Sequence, residues 1–354
     1  LNRPTCTRPH RCFIVPPELL KSLARTQADD PALRRTLQST WLVTQQLRIG
    51  RETARLAAMA QKTSQFHKEA VAGPPPADYI YDCQQRHSLP GKPVADPANS
   101  PDIGVKTVFA TTQKVADFYA QVLARNSVDN RGLDLVSSLH YRQYDNEDYD
   151  NAFWDGRQMV YGDGDGKIFT GFYNSPDVIG HELSHGVTQY ESHLSYDGES
   201  GALNESFSDC VGAVFHQWLN GWSADRDAGW LIGAGIMGPQ SLARNKTCLR
   251  DMVDPGNAHC LSPQPGSYRG LDPTADVHIN SGVPNLAFAA YARAVGGNAW
   301  EAPMQIWYRA STGNRLAQNA TIADFARGTL AAATALAVDP APLAAAWRSV
   351  AVQP

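Results

Sequence analysis

Residues 176–209 carry Pro176-Asp-Val-Ile-Gly-His181-Glu182-Leu-Ser-His185, a turn at Tyr196-Asp-Gly198, and then Gly201-Ala-Leu-Asn204-Glu205-Ser-Phe-Ser-Asp209. The first part predicts a helix, with Ser175 able to cap it, Pro176 suited to its first position and Asp177 complementing the positive end of its dipole. His181 and His185 are four apart and so lie one above the other on one face. Two neutral imidazoles held that way supply two corners of a tetrahedral zinc site. Glu182 points beside that site, where it can take a proton from a metal-bound water. Glu205 follows after nineteen residues, enough for a turn and the start of a second helix, and offers the third ligand. Asp209 shares the face of Glu205 and can receive the outer ring N–H of His181 or His185, with Asn204 beside it as a further outer partner.

H-E-x-x-H alone arises by chance in roughly one chain in a hundred of this size, so the correctly spaced Glu205 decides the reading. Asn204-Glu205-Ser-Phe-Ser-Asp209 after His181-Glu182-Leu-Ser-His185-Gly-Val-Thr-Gln resembles the thermolysin family of zinc endopeptidases. A metzincin would need glycine at position 188 and histidine at position 191, where this chain has Thr188 and Glu191.

A chain of 354 residues suggests two domains or more, and 43% hydrophobic residues with mixed charge mark an ordinary globular protein. There is no apolar run of membrane-spanning length and no secretory core. The chain starts at Leu1, so a leader can precede it. Six cysteines are even in number but sparse; Cys248 and Cys260, in one Pro/Gly-rich region, are the favoured pair. An oxidising compartment, secreted or periplasmic, is favoured, with an intracellular one left open. Residues 1–76 carry 12 Lys+Arg against 5 Asp+Glu, whereas 77–354 carry 19 against 30, giving +7 on −11. Such an asymmetry fits a nucleic-acid arm or two parts that dock on each other.

Along the chain, Phe13-Ile-Val-Pro16-Pro17-Glu-Leu19-Leu20 predicts an extended piece running into a helix. Leu33, Leu37, Trp41, Thr44 and Leu47 then recur at helical spacing, and Gly73-Pro-Pro-Pro76 predicts a linker. A helix is expected over Gln113–Arg125, a strand over Ser138–Tyr144, a turn at 145–148, and a Gly/Asp hairpin within Met159–Gly166. Helices are expected over Ala323–Leu336 and Pro342–Ala351.

The Pro16-Pro17-Glu-Leu19-Leu stretch resembles the short inhibitory prosegment of the protealysin-type branch, and Tyr79-Ile-Tyr-Asp82 followed by Ser88-Leu-Pro-Gly-Lys92 resembles the start of the mature enzyme. The resemblance therefore implies an α+β, thermolysin-like unit: a basic helical prosegment over 1–76, a β-rich domain over 77–175, a helical domain over 176–354, and the zinc site in the cleft between the last two. Its partners would be a peptide or protein substrate and its own prosegment, with no nucleic acid, no membrane and a monomeric state. A competing mode of inhibition is a cysteine switch, with Cys6 or Cys12 as thiolate on zinc.

The resemblance also assigns roles. Tyr196 and His278, the latter in Asp276-Val-His-Ile-Asn-Ser-Gly-Val-Pro-Asn285, are implied oxyanion donors. The family's Asp-x-Gly-Gly run is replaced by Asp272-Pro-Thr-Ala-Asp276-Val, leaving Asp272 and Asp276 both open as partners of His278. Asn151 and Ala152 match the edge-strand pair that binds peptide backbone, with Trp154 alongside, and Arg250 matches the arginine that meets the substrate carbonyl. Phe169, Phe172, Val178, Ile232 and Leu249 fall at the pocket that favours a bulky apolar residue after the scissile bond. One catalytic Zn²⁺ is implied. The family's main calcium site keeps Asp177 but has His216, Gly229, Leu231 and Ala234 at its other positions, so its loss is expected. Cys248, His259 and Cys260 read either as a second zinc site or as a disulfide loop. Two alternatives stand beside the endopeptidase: a zinc aminopeptidase, and a catalytically silent metal-stabilised binding or adhesion module.

Overall fold

The computed structural model describes residues 12–59, 74–144, 147–313 and 315–354; Cys6, Gly73 and the first half of the expected 145–148 turn lie outside these. The alternating apolar start forms β1 (Cys12–Phe13). Pro16 is extended (φ −60°, ψ 139°) at the N-cap, and Pro17 opens α1 (Pro17–Thr26), where its missing N–H costs nothing. The predicted helical repeat becomes α2 (Pro31–Met59). Leu20 and Ala24 of α1 and Leu33 and Leu37 of α2 are buried, forming the apolar face by which this hairpin sits on the body.

The body starts with β2 (Asp78–Arg86) and β3 (Lys92–Pro93), followed by α3 (Ile103–Leu123). That helix begins ten residues before the expected start at Gln113. Asp102 caps it by accepting from Val105 N at 3.1 Å, and buried Val105, Val108, Thr112 and Val115 continue its inner stripe. The Val/Thr-rich first half lacks strong helix formers, which hid it, although Ser-Pro-Asp102 was a start signal. Next come β4 (Leu135–Tyr141), β5 (Ala152–Trp154) and β6 (Met159–Tyr161). The hairpin turn is at Asp155–Gln158, where Asp155 N donates to Gln158 O at 3.0 Å, and not within Met159–Gly166 as expected. Residues 162–167 instead form a loop tied by Asp165 Oδ1, which accepts from Lys167 N and Ile168 N at 2.6 and 2.7 Å. The six-stranded sheet runs β1-β5-β6-β4-β2-β3, so the N-terminal strand adds itself to the β5 edge.

The helical part opens with α4 (Pro176–Tyr190) and α5 (Gly198–Asn220). Ser175 holds the N-cap position of α4 without capping it; its hydroxyl donates to Asp177 Oδ1 instead. The two helices touch backbone to backbone: a Cβ on Gly212 would lie 2.4 Å from Asp177 O, so no larger residue fits there. This close approach carries the two metal-motif segments into one site. A small ribbon of β7 (Leu231–Ile232) and β8 (Arg250–Asp251), with α6 (Pro239–Ala243) between them, flanks α5. The remaining helices are α7 (Val277–Asn280), α8 (Gly282–Val295), α9 (Ala302–Ser311), α10 (Ile322–Ala335) and α11 (Ala341–Ser349). The last two lie within a residue or two of their expected positions. Trp307 and Trp347 stack at 5.6 Å in their core.

Candidate active site

One helical turn on α4 sets His181 and His185 face to edge, with their Nε2 atoms 3.0 Å apart. Glu205 comes in from α5, Oε2 at 3.4 Å from His181 Nε2 and Oε1 at 3.7 Å from His185 Nε2. All three are buried. Each ring is oriented from behind: His181 Nδ1 lies 2.9 Å from Asp209 Oδ1, and His185 Nδ1 lies 2.9 Å from Asn204 Oδ1 and 3.2 Å from Ser208 Oγ. With the Nδ1 protons directed outward, both Nε2 lone pairs converge with the Glu205 carboxylate. Glu205 Oε2 makes no well-aligned hydrogen bond among the described residues, although His278 Nε2 stands 3.2 Å and His181 Nε2 3.4 Å from it. Two ring nitrogens this close beside a buried carboxylate need a cation between them, a proton or a metal ion, and two imidazoles with one carboxylate are the donor set of a catalytic zinc. The residues fit the ion.

Glu182 is fully buried next to this cluster, with neither oxygen in a hydrogen bond of good geometry. Burial pushes its carboxyl up to about 8. His185 is pulled down to about 3 by burial, whereas for His181 the carboxylates of Asp209 and Glu205 outweigh burial and lift it to about 9. Glu205 is held at about 2, because His278, His185 and His181 more than offset its desolvation. Asp209 anchors a wider network: Arg250 grips it through Nε (2.9 Å) and Nη2 (2.7 Å), and Asn285 Nδ2 donates to it at 2.9 Å. Asn285 lies 76 residues from Asp209 in sequence, and nothing local to it signals the contact.

Tyr196 donates to Glu205 Oε1 and stands 3.5 Å from His278 Nε2. His278 Nδ1 lies 2.5 Å from Asp276 Oδ1, whereas Asp272 accepts from Thr274, so Asp276 orients the ring. Arg250 is fully buried.

The cleft holds the chain's own N-terminal strand. In register Cys12↔Trp154 and Phe13↔Phe153, β1 lies antiparallel on β5. Val15 N donates to Asn151 Oδ1 (2.9 Å), Asn151 Nδ2 returns a bond to Val15 O (3.1 Å), and Ile14 N donates to Ala152 O (3.2 Å). Arg250 Nη1 donates to Ile14 O at 3.0 Å, and His278 Nε2 donates to Phe13 O. The occupant is therefore residues 12–15, one step upstream of the expected prolines. Pro16 follows, buried and extended, while Pro17 and the half-buried Leu19 already belong to α1.

The structure places the other expected residues as follows. Trp154 stays behind the site, its Nε1 donating to Gln189 Oε1 at 2.9 Å, and only its backbone faces the strand. Phe169, Phe172, Val178, Ile232 and Leu249 are fully buried in the same apolar core as Ile14, Val15 and Leu20. Asp177 Oδ2 accepts from Gly233 N at 2.6 Å, and the ring of His216 packs against Trp222 at 5.0 Å. Cys248 and Cys260 are buried free thiols facing each other across an isolated parallel bridge, not the expected disulfide; their sulfurs and a ring nitrogen of His259 lie within 4.8 Å of one another, and His259 Nε2 lies 3.0 Å from Asp251 Oδ2.

Comparison with known proteins agrees with this geometry. Residues 53–189 match the catalytic domain, and residues 192–352 the alpha-helical domain, of the thermolysin metallopeptidases. The chain is 37% identical over 331 residues to an extracellular metalloprotease of Pectobacterium carotovorum subsp. carotovorum, covering 90% of this chain and 89% of that protein. It is 38% identical to Protease PrtS of Photorhabdus sp. (strain Az29) over 265 residues, 71% of this chain and 69% of that one. The solved precursor of protealysin, a metalloproteinase from Serratia proteamaculans, superposes with a TM-score of 0.81 at 35% identity, covering 96% of this chain and 99% of that one. The chain belongs to the thermolysin family of zinc metalloendopeptidases.

Proposed function

We propose that this chain is the latent precursor of a zinc endopeptidase, with residues 1–76 as inhibitory prosegment, 77–175 as β-rich domain and 176–354 as helical domain. The observation that carries this is the β1 strand, which occupies the cleft through the same backbone contacts a peptide substrate would need. His181, His185 and Glu205 would hold the zinc, oriented by Asp209 and Asn204. When bound, zinc polarises the scissile carbonyl and lowers the pKa of a coordinated water to about 7. Glu182 is the base: burial strengthens its carboxylate as a proton acceptor and lets it hold that proton until the leaving nitrogen takes it. Tyr196 and His278 donate to the developing oxyanion, a positioned donor of this kind being worth about 2.7–4 kcal/mol. His278 already donates to Phe13 O, and Arg250 to Ile14 O, which supports these as carbonyl-binding groups. Asn151 and Ala152 pair with peptide backbone, and Phe169, Phe172, Val178, Ile232 and Leu249 favour a bulky apolar residue after the scissile bond. Pro16 protects the occupant, because proline has no N–H to pair and its ring fixes φ.

The relative from Pectobacterium carotovorum named extracellular metalloprotease supports a secreted or periplasmic enzyme. The described residues include no helix long and apolar enough to cross a membrane. The filled cleft speaks against a silent adhesion module. For the test, zinc-loaded protein is followed for self-cleavage and for digestion of an end-blocked peptide with Leu or Phe after the scissile bond. Glu182→Ala should keep one zinc while losing about 10²–10⁴-fold in rate. Glu205→Ala should lose the metal. A Glu182→Ala enzyme cutting at the wild-type rate sinks the mechanism, and activity confined to free N-termini favours the aminopeptidase.

A further inference from the structure

We infer that Cys12 is a metal ligand in the uncut chain, its thiolate taking the fourth position beside His181, His185 and Glu205. Cys12 Sγ, a ring nitrogen of His185 and a carboxylate oxygen of Glu205 lie within 4.8 Å of one another, and all three residues are buried. Two of those three residues are the ones whose inward-facing atoms define the metal centre above. Strand alternation aims the sulfur there. Phe13 packs on Phe153 at 5.4 Å, on one face of the sheet, so Cys12, one residue earlier, points to the opposite face, where α4 lies. The register Cys12↔Trp154 and the bonds made by residues 13–15 fix that placement from the other side. Glu205 Oε2 is buried and makes no well-aligned hydrogen bond, with His278 Nε2 at 3.2 Å and His181 Nε2 at 3.4 Å, which leaves it open to an ion. Thiolate is a matched ligand for zinc, with a bond of about 2.3 Å, and a fourth protein ligand turns a catalytic site with an open position into a closed one. The N-terminal strand would thus block the cleft twice, by filling the substrate groove and by saturating the metal. Removing residues 12–15 then vacates both at once.

This inference rests on the cleft-occupancy reading, and the experiment separates the two. Full-length protein carrying Glu182→Ala, so that it stays uncut, is loaded with Zn²⁺ for X-ray absorption and with Co²⁺ for optical spectra. Its Cys12→Ser and Cys12→Ala derivatives are treated alike. Hydrogen exchange is followed over residues 12–16 and 151–154. The expected result is one sulfur scatterer at about 2.3 Å and a sulfur-to-cobalt charge-transfer band. Both should be absent in the Cys12 derivatives, while one bound metal and slow exchange at 151–154 persist in at least one of them. Only nitrogen and oxygen scatterers, with slow exchange over 12–16, overturn the Cys12 ligand and leave the occupied cleft standing. The same scatterers with fast exchange over 12–16 overturn both. A sulfur signal that survives in the Cys12 derivatives also overturns the assignment.

Discussion

Latency is most directly tested by Ile14→Pro in the uncut chain. Ile14 is fully buried, its N–H donates to Ala152 O at 3.2 Å, and its carbonyl accepts from Arg250. Proline keeps the carbonyl but deletes the N–H. It also suits an extended strand, so the preceding Phe13, already in β1, is not forced from its conformation. The lost bond is worth about 0.5–1.5 kcal/mol, and leaving the buried Ala152 O without a donor costs about 1–3 kcal/mol more. Together these loosen the docked strand by about 2–4 kcal/mol. At about 1.4 kcal/mol per decade, the open fraction rises roughly 30- to 700-fold, saturating at the rate of processed enzyme. Ile14→Val keeps the N–H and costs about 0.5–1.5 kcal/mol, so it should raise the open fraction only about 2- to 12-fold. The assay is the initial rate on an end-blocked peptide, started by adding zinc to metal-free protein, with mass spectrometry confirming that the chain is still intact. Equal initial rates for wild type, Ile14→Val and Ile14→Pro would refute the claim that residues 12–15 guard the cleft.

Two further outcomes are expected. Selective calcium chelation with zinc restored should shift the melting temperature little, since Asp177 is spent on Gly233 N and Leu231 and Ala234 offer no carboxylate; a shift beyond about 4 °C, the scale of a 1–2 kcal/mol loss in a chain this long, counts against it. His140 is pulled down by burial, but Asp163 at 2.8 Å and Asp102 at 3.0 Å outweigh that and raise it from 6.5 to about 9. Its folded pKa lies above its unfolded one, so its contribution, about 3 kcal/mol at most, is whole below pH 6.5 and is lost as pH rises through about 9. Urea midpoints of wild type and His140→Gln should therefore differ below pH 6.5 and converge above pH 9, and a gap that ignores pH rules this out.

The parts of the site that were legible in the sequence are those set by spacing within one or two elements. His181 and His185 share a face because a helix repeats every 3.6 residues, and Glu205 and Asp209 share one for the same reason. Ligand chemistry then limits what such a pair of faces can hold. The final assignment of outer partners was not fixed by spacing: Asp209 could serve either histidine, and the helix crossing at Gly212 gives it to His181 and Asn204 to His185. Asp272 and Asp276 were likewise equivalent until the short α7 turned Asp276 toward the ring.

What occupies the cleft could not be read locally, because it depends on contacts between residues 13–15 and positions 136 to 265 residues away. The stiffness of Pro16-Pro17 is a property of a dipeptide, whereas register is a property of two strands. Charge was a weaker guide still. The opposed totals of the two parts suggest docking by attraction; among the described residues, the ion pair at α2's entry, Asp30 with Lys167, runs the other way, with the acid on the N-terminal hairpin and the base on the body. Lys167 is half exposed, so that pair contributes little. Among the described residues the hairpin docks through the buried faces of Ile14, Val15, Leu20 and Leu37 and through the hydrogen bonds of residues 13–15. Apolar burial and backbone hydrogen bonds are contacts that salt screens little, so the described part of this docking surface does not depend on the opposed charges.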